Sequence, residues 1–189
     1  MPEHATIALS AGPQTIAVVI TGPVGVGKST TAVALADLLE EGDVPNAMID
    51  MDYLRWVSHR PADDPFHSRL AFRNLKAVAA NDREIGVRVL VLADVVESQA
   101  DRHRYEEAIP GARITIVRLR VPMARMESQL RGRDSGDALA WSLNRAPELE
   151  HIMDAAGIGS GEGDLLVDVD GAAPDAVARE IATRLGLVS

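Results

Sequence analysis

Gly22-Pro23-Val24-Gly25-Val26-Gly27-Lys28-Ser29 fits the spacing G-x-x-x-x-G-K-[ST] at every fixed position. Glycines at these positions let consecutive backbone N–H groups turn inward on a chain of phosphates. A helix that starts here aims the positive end of its dipole at the same anions. Lys28 adds a cation for the β- and γ-phosphates, Ser29 a hydroxyl for magnesium, and Thr30 continues the turn. Seventeen of the 19 basic residues are arginine, so a lysine at position 28 departs from the chain's own habit.

Three further groups carry charge where such a loop would need it. Asp50-Met51-Asp52-Tyr53-Leu54-Arg55 places two carboxylates two residues apart, at the C-terminal end of a short apolar run. Ligands of open α/β sheets bind outside those ends. One carboxylate can then face magnesium while the other accepts a hydrogen bond from a hydroxyl; an exposed acidic turn with Arg55 as its ion-pair partner would use the same residues. Val89–Asp94 is an apolar run that closes on an aspartate, with Glu97 just beyond. Gln129-Leu130-Arg131-Gly132-Arg133-Asp134 and the later Arg145 gather arginines near small and polar residues. Phosphoryl transfer asks a protein mostly for positioning and charge stabilisation. Arginines on a flap that closes and excludes water suit that task.

The elements that must hold these groups are legible in the apolar pattern. Thr15–Thr21 is a continuous β-branched run, as a strand buried on both faces requires. Ser29–Glu41 has apolar residues at helical period and stops at Gly42 and Pro45. The pattern then predicts a strand at Ala47–Asp50, a helix at Phe66–Ala80, a strand at Arg88–Val96 and a helix at Ser98–Ile109. A strand at Arg113–Val121 follows, then helices at Pro122–Arg131 and Ala146–Ala156, a strand at Leu165–Val169 and a helix at Pro174–Leu185. Strand and helix alternate five times, which argues a parallel sheet covered on both faces. Ser58–Pro65 and Gly132–Asp137 lack apolar anchors and read as mobile.

The phosphate-loop motif is the mark of the P-loop NTPases, and the chain resembles the small-molecule and nucleotide kinases among them: shikimate, gluconate, adenylylsulfate, chloramphenicol and adenylate kinases. The resemblance implies one domain over residues 1–189, a three-layer α/β/α sandwich on a five-stranded parallel sheet in the order 2-3-1-4-5. It further implies an acceptor lobe near 52–82 and a lid near 131–145. By the likeness of D-x-D-x-x-R to adenylylsulfate kinase and of D-x-D to shikimate kinase, Asp52 is the acceptor-binding base. Asp50 is a water-mediated magnesium partner, and Arg55 holds an anionic group. Ala71-Phe72-Arg73 resembles the F-R pair of shikimate kinase, where the arginine grips a substrate carboxylate. The glycine triplet of that family is missing after the third strand, which counts against shikimate itself. Asp94 stands where a Walker B aspartate holds a magnesium water or touches the acceptor. By the lid likeness, Arg133 and Arg145 meet the phosphates and Arg131 meets the adenine. Asp168–Pro174 resembles the loop that packs on adenine, which assigns Asp170 and Ala172 to the nucleotide.

The expected activity is magnesium-dependent transfer of the γ-phosphoryl of ATP to a hydroxyl of a small molecule. Three rivals share the motif: a polynucleotide 5′-hydroxyl kinase, an ATP-binding regulator or ATPase without an acceptor, and a toxin-like kinase acting on a sugar nucleotide. A net charge of −9 counts against a grip on nucleic-acid phosphates. Aromatic residues at 3% are few for a base-stacking platform. No cysteine exists for a disulfide, a thiolate metal site or a nucleophile. Met1–His4 lacks the features of a signal peptide and no apolar run is membrane length, so a cytoplasmic monomer or homodimer is expected. Gly157, Gly159, Gly161 and Gly163 precede a strand instead of following one, so they read as linker. His4, His59, His67, His103 and His151 have no metal-ligand spacing, though His59 and His67 flank the acceptor lobe.

Overall fold

Ala17, Val18, Val19 and Ile20 have no exposed surface, because the strand they form lies in the middle of the sheet. The computed structural model describes residues 14–188, so Met1–His4 lies outside the described residues. Five strands make the sheet: β1 (Ile16–Thr21), β2 (Asn46–Asp50), β3 (Val89–Ala93), β4 (Arg113–Arg120) and β5 (Leu165–Asp168). They run parallel in the order β2-β3-β1-β4-β5, as expected. Ala93 pairs with both Ile20 and Asp50. The C-terminal ends of β1, β2 and β3 are therefore level, and the loops after them open at one edge.

Each face of the sheet has its own core. Val18 and Ile20 pack with Leu35 and Leu39 of α1 (Lys28–Glu41), Met126 and Leu130 of α5 (Met123–Arg133), and Val177 and Ile181 of α7 (Pro174–Leu185). Ala17 and Val19 pack with Leu75 of α3 (Ser68–Glu84), Tyr105 of α4 (Asp101–Ala108), and Leu149 and Met153 of α6 (Gly136–Ala155). Burial on both faces is why β1 reads as a continuous apolar run and not an alternating one.

Three boundaries depart from the pattern. A short helix, α2 (Met51–Leu54), follows β2 directly, capped by the Asp50 carboxylate. α3 begins at Ser68, where the Asp64 carboxylate accepts from the N–H groups of Ser68 and Arg69 at 2.7 and 3.1 Å. The largest difference is α6, which starts at Gly136 and runs through Pro147. A proline inside a helix forfeits one backbone hydrogen bond. Ser142, Ala146, Leu149 and Met153 offset that loss, because helical spacing buries all four. The stretch expected to be a structureless flap, Gly132–Asp137, is thereby reduced to two extended residues, Asp134 and Ser135, between helices. No helix among the described residues is long and apolar enough to cross a membrane.

Candidate active site

The loop from Gly22 to Lys28 turns under tight steric limits. Gly22 has φ of 145°, and a Cβ there would lie 2.7 Å from the Leu119 carbonyl oxygen of β4, so only glycine fits. Gly27, at φ of 100°, caps α1 in the left-handed region, and the Thr31 N–H donates to its carbonyl at 2.9 Å. Val26 drops its side chain into the core and leaves only its backbone for a ligand. Lys28 folds back over the loop, its Nζ donating to the carbonyls of Gly22 and Pro23, both at 3.1 Å. Burial lowers its pKa to about 8, against the pull of Asp52, Asp94 and Asp50, which favour the charged form.

The end of β2 meets this loop through one hydrogen bond. Ser29 Oγ donates to Asp50 Oδ2 at 2.7 Å, while Asp50 Oδ1 accepts from the Asp52 N–H at 3.0 Å. Capping α2 thus turns one carboxylate oxygen of Asp50 toward the hydroxyl. Asp52 stays exposed, with Arg55 Nε 3.6 Å from its carboxylate.

Lys28, Ser29, Thr30 and Asp52 line a single cleft of about 1370 Å³, together with Arg55, Arg133 and Arg145. Sites for one small ligand run to roughly 300–1,000 Å³, so this cleft has room for two. Six basic side chains line it against three acidic ones, in a chain of net charge −9. Charge of one sign is concentrated where an anionic ligand would sit.

No protein-family model matches the chain, and no curated protein is similar to it in sequence. Solved structures are similar over nearly the whole length. A tunicamycin resistance protein from Deinococcus radiodurans superposes with a TM-score of 0.61 at 19% identity, covering 93% of this chain and 98% of that one. The APS kinase of Mycobacterium tuberculosis, solved with AMPPNP and APS, gives 0.59 at 23% identity over 93% and 99%. A shikimate kinase from Bacteroides thetaiotaomicron gives 0.60 at 17% identity over 90% and 98%. The chain has the fold of the P-loop small-molecule kinases.

Within this kinase fold several expected site residues sit elsewhere. Asp94 is buried and does not line the cleft. Its Oδ1 accepts from Arg55 Nη2 at 2.5 Å and from the Val95 N–H at 2.8 Å, and its Oδ2 accepts from the Tyr105 hydroxyl at 2.7 Å. Burial raises its pKa, and Arg55, Tyr105 and Val95 pull it back. These bonds tie Asp94 to Arg55 of the cleft lining and to Tyr105 of α4. Arg73 lies on the exposed side of α3 and does not line the cleft, because Ala71 and Leu75 take the buried side. Arg131 is exposed and also outside the cleft lining. Asp170 and Ala172 lie exposed in the turn after β5, with Asp170 3.6 Å from Arg125 of α5.

The arginines assigned to the lid, Arg133 and Arg145, do line the cleft, and each has a carboxylate partner. Arg133 donates to both oxygens of Asp134 at 2.7 and 2.8 Å, and Ser142 of α6 donates to the same carboxylate at 2.7 Å. Those bonds hold the Asp134 pKa down at about 2. Arg145 pairs with Glu97 at 2.6 Å and Glu148 at 2.9 Å. His67 is buried: Nδ1 lies 3.1 Å from the Arg55 carbonyl, and Nε2 faces the His59 carbonyl.

The residues missed in the sequence are Trp56, Phe66, Arg60, Arg104 and Trp141, all in the cleft lining. They have no motif spacing; the available signal was that exposed loops and a polar helix carried large aromatics in a chain with so few.

For magnesium, the donor set fits. Ser29 Oγ and Asp50 Oδ2 are hard oxygens, and magnesium commonly takes one or two protein oxygens with phosphates and waters completing its shell. No group of three or more His, Cys, Asp or Glu side chains could hold a metal among the described residues.

Proposed function

We propose that the chain is an ATP-dependent kinase that phosphorylates a hydroxyl of a small molecule. The carrying observation is that one cleft holds a complete phosphate loop at one end and the exposed Asp52 carboxylate beyond it, joined through the Ser29–Asp50 hydrogen bond. The tunicamycin resistance protein, the APS kinase and the shikimate kinase support this choice among P-loop functions.

The backbone N–H groups from Gly25 to Ser29 receive the β- and γ-phosphates, and the Lys28 ammonium bridges them. Magnesium, when bound, neutralises phosphate charge; Ser29 and, through water, Asp50 would hold it. The acceptor hydroxyl lies against Asp52. Its oxygen forms a bond to the γ-phosphorus as the bond to the β–γ bridging oxygen breaks. ADP leaves, and the hydroxyl proton passes to the Asp52 carboxylate. Arg133 and Arg145 exchange their carboxylate partners for the transferring phosphoryl group, whose charge they spread. Arg55, fixed from behind by Asp94, orients the acceptor.

The test is a screen of hydroxylated compounds, following ADP formed from ATP and magnesium, with Lys28→Ala as control. Acceptor-dependent ADP release that Lys28→Ala abolishes supports the assignment. Release that is independent of any acceptor would point to an ATPase.

A further inference from the structure

The six aromatic side chains of this protein are unevenly placed. Phe72 and Tyr105 pack edge to face, ring centroids 4.9 Å apart. Tyr53, Trp56, Phe66 and Trp141 are all exposed, Trp56 at 78%. Three of those four line the cleft, Trp56 and Phe66 from the connection between α2 and α3 and Trp141 from α6. Trp56 is braced on one face by Tyr53, stacked at 5.7 Å and 14°. Large apolar side chains left in water are informative when they gather at one concave site.

The cations around them differ from those near the phosphate loop. Arg55, Arg133 and Arg145 are matched to carboxylates at 2.5 to 2.7 Å. Arg104 is held without such a match. Its guanidinium lies 4.0 Å over the Phe72 ring, and Nη2 donates to Ser68 Oγ at 2.6 Å. Its carboxylate neighbour, Asp101, is 3.6 Å away, longer than a close charge-assisted bond. Arg60 donates only to the Pro65 carbonyl, at 3.5 Å, and has no carboxylate partner among the described residues.

We propose that Trp56, Phe66 and Trp141, with Arg60 and Arg104, form the acceptor subsite, and that it selects a nucleotide-sized acceptor bearing both a flat unsaturated ring and an anionic group. This rests on the kinase assignment above. Trp56 offers its free face for stacking. Arg60 and Arg104 supply positive charge not closely neutralised by the protein, so an anion here displaces no close ion pair. Phe72 and Ser68 hold the Arg104 guanidinium in place before the ligand arrives, which lowers the ordering cost of binding. A second copy of the chain is a poorer occupant, because the aromatics sit in the lining of a cleft and share it with unmatched cations.

Trp56 and Trp141 are the only two tryptophans, so tryptophan fluorescence, excited where tyrosine does not absorb, reports on this cleft alone. The protein is first saturated with AMPPNP and magnesium, so the phosphate loop is filled. It is then titrated with AMP and UMP (ring and anion), adenosine and uridine (ring only), and ribose 5-phosphate (anion only). At least one nucleotide should bind about tenfold or more tighter than its nucleoside and than ribose 5-phosphate. Trp56→Ala should weaken that nucleotide by about five- to a hundredfold. Arg60→Met, at an exposed residue whose one hydrogen bond is to the Pro65 carbonyl, and Arg104→Met should each bring it toward the nucleoside's affinity. AMPPNP affinity should stay within about twofold in all three variants. Nucleotides no tighter than both of their fragments, or unaffected by Trp56→Ala and Arg60→Met, would overturn the proposal. Failure of AMPPNP itself to bind is seen before any probe is added, and would overturn the kinase assignment instead.

Discussion

Ser29 Oγ and Asp50 Oδ2 are 2.7 Å apart, so the first turn of α1 and the last residue of β2 share one hydrogen bond. That bond orients the hydroxyl assigned to magnesium. Asp50→Asn keeps the shape but removes the charge. Partners of this kind typically tune metal affinity by about 10- to 100-fold. ATP affinity measured by calorimetry should therefore drop on that order with magnesium present and change little in EDTA. An equal loss in both conditions would remove Asp50 from the metal's support.

Lys28 makes ATP binding dependent on pH. Its pKa is about 8 because burial disfavours the charged form. Triphosphate favours the charged form, so binding takes up a proton wherever the free lysine is neutral. Affinity should hold at pH values below the pKa and fall as pH rises through it, by about tenfold between about pH 7 and pH 9. Lys28→Ala should cost roughly 1.5–3 kcal/mol, ten- to over a hundredfold in affinity, and flatten this profile. Calorimetry across pH in both proteins checks it; an unchanged profile in Lys28→Ala assigns the proton elsewhere.

The half-buried Arg55, held by the buried Asp94 and Tyr105, predicts a split between stability and binding. Tyr105→Phe leaves Asp94 Oδ2 without its hydroxyl donor, which should cost about 1–3 kcal/mol. For a chain of this size Tm then falls by about 2–4 °C per kcal/mol. Arg55 would be held less firmly, so acceptor KM should rise while ATP affinity stays constant. Equal weakening of ATP and acceptor would show that Asp94 supports the phosphate loop instead.

The sheet and the phosphate loop were legible because each is written locally. The continuous run at Thr15–Thr21 requires burial on both faces, and the glycines of the loop are demanded by backbone geometry that no other residue adopts. The acceptor end was less legible. Nothing local in the sequence shows that Asp94 faces Arg55 and Tyr105, residues 39 and 11 positions away in the chain. Arg73 is singled out by sitting beside Phe72 in sequence; Arg104, which no sequence signal marks, reaches that ring from another helix. The helix at Ala146–Ala156 was legible, but its extension back to Gly136 was not, because that half buries only the small polar Ser142.

The junction of α5 and α6 should tighten when ligands bind. Arg133 and Arg145 leave Asp134 and Glu97 for phosphate, which draws both helices onto the cleft. Hydrogen exchange across residues 131–145 should slow when AMPPNP, magnesium and an acceptor are present together, and less with AMPPNP alone. Identical exchange in all states would mean that these arginines keep their carboxylate partners and that no lid closes.

Phosphoryl transfer itself is tested most directly by following ATP labelled at the γ-phosphate, with magnesium and the acceptor that the screen finds, in the wild type and in Asp52→Asn. Asp52→Asn keeps the size of the side chain and removes its basicity. General-base losses run to about 100- to 10,000-fold, and a loose transition state favours the lower end. The label should appear on the acceptor, one for each ADP formed. In Asp52→Asn that transfer should fall about a hundredfold with ATP affinity unchanged. Label released only as inorganic phosphate, or full transfer by a folded Asp52→Asn protein, would contradict the account.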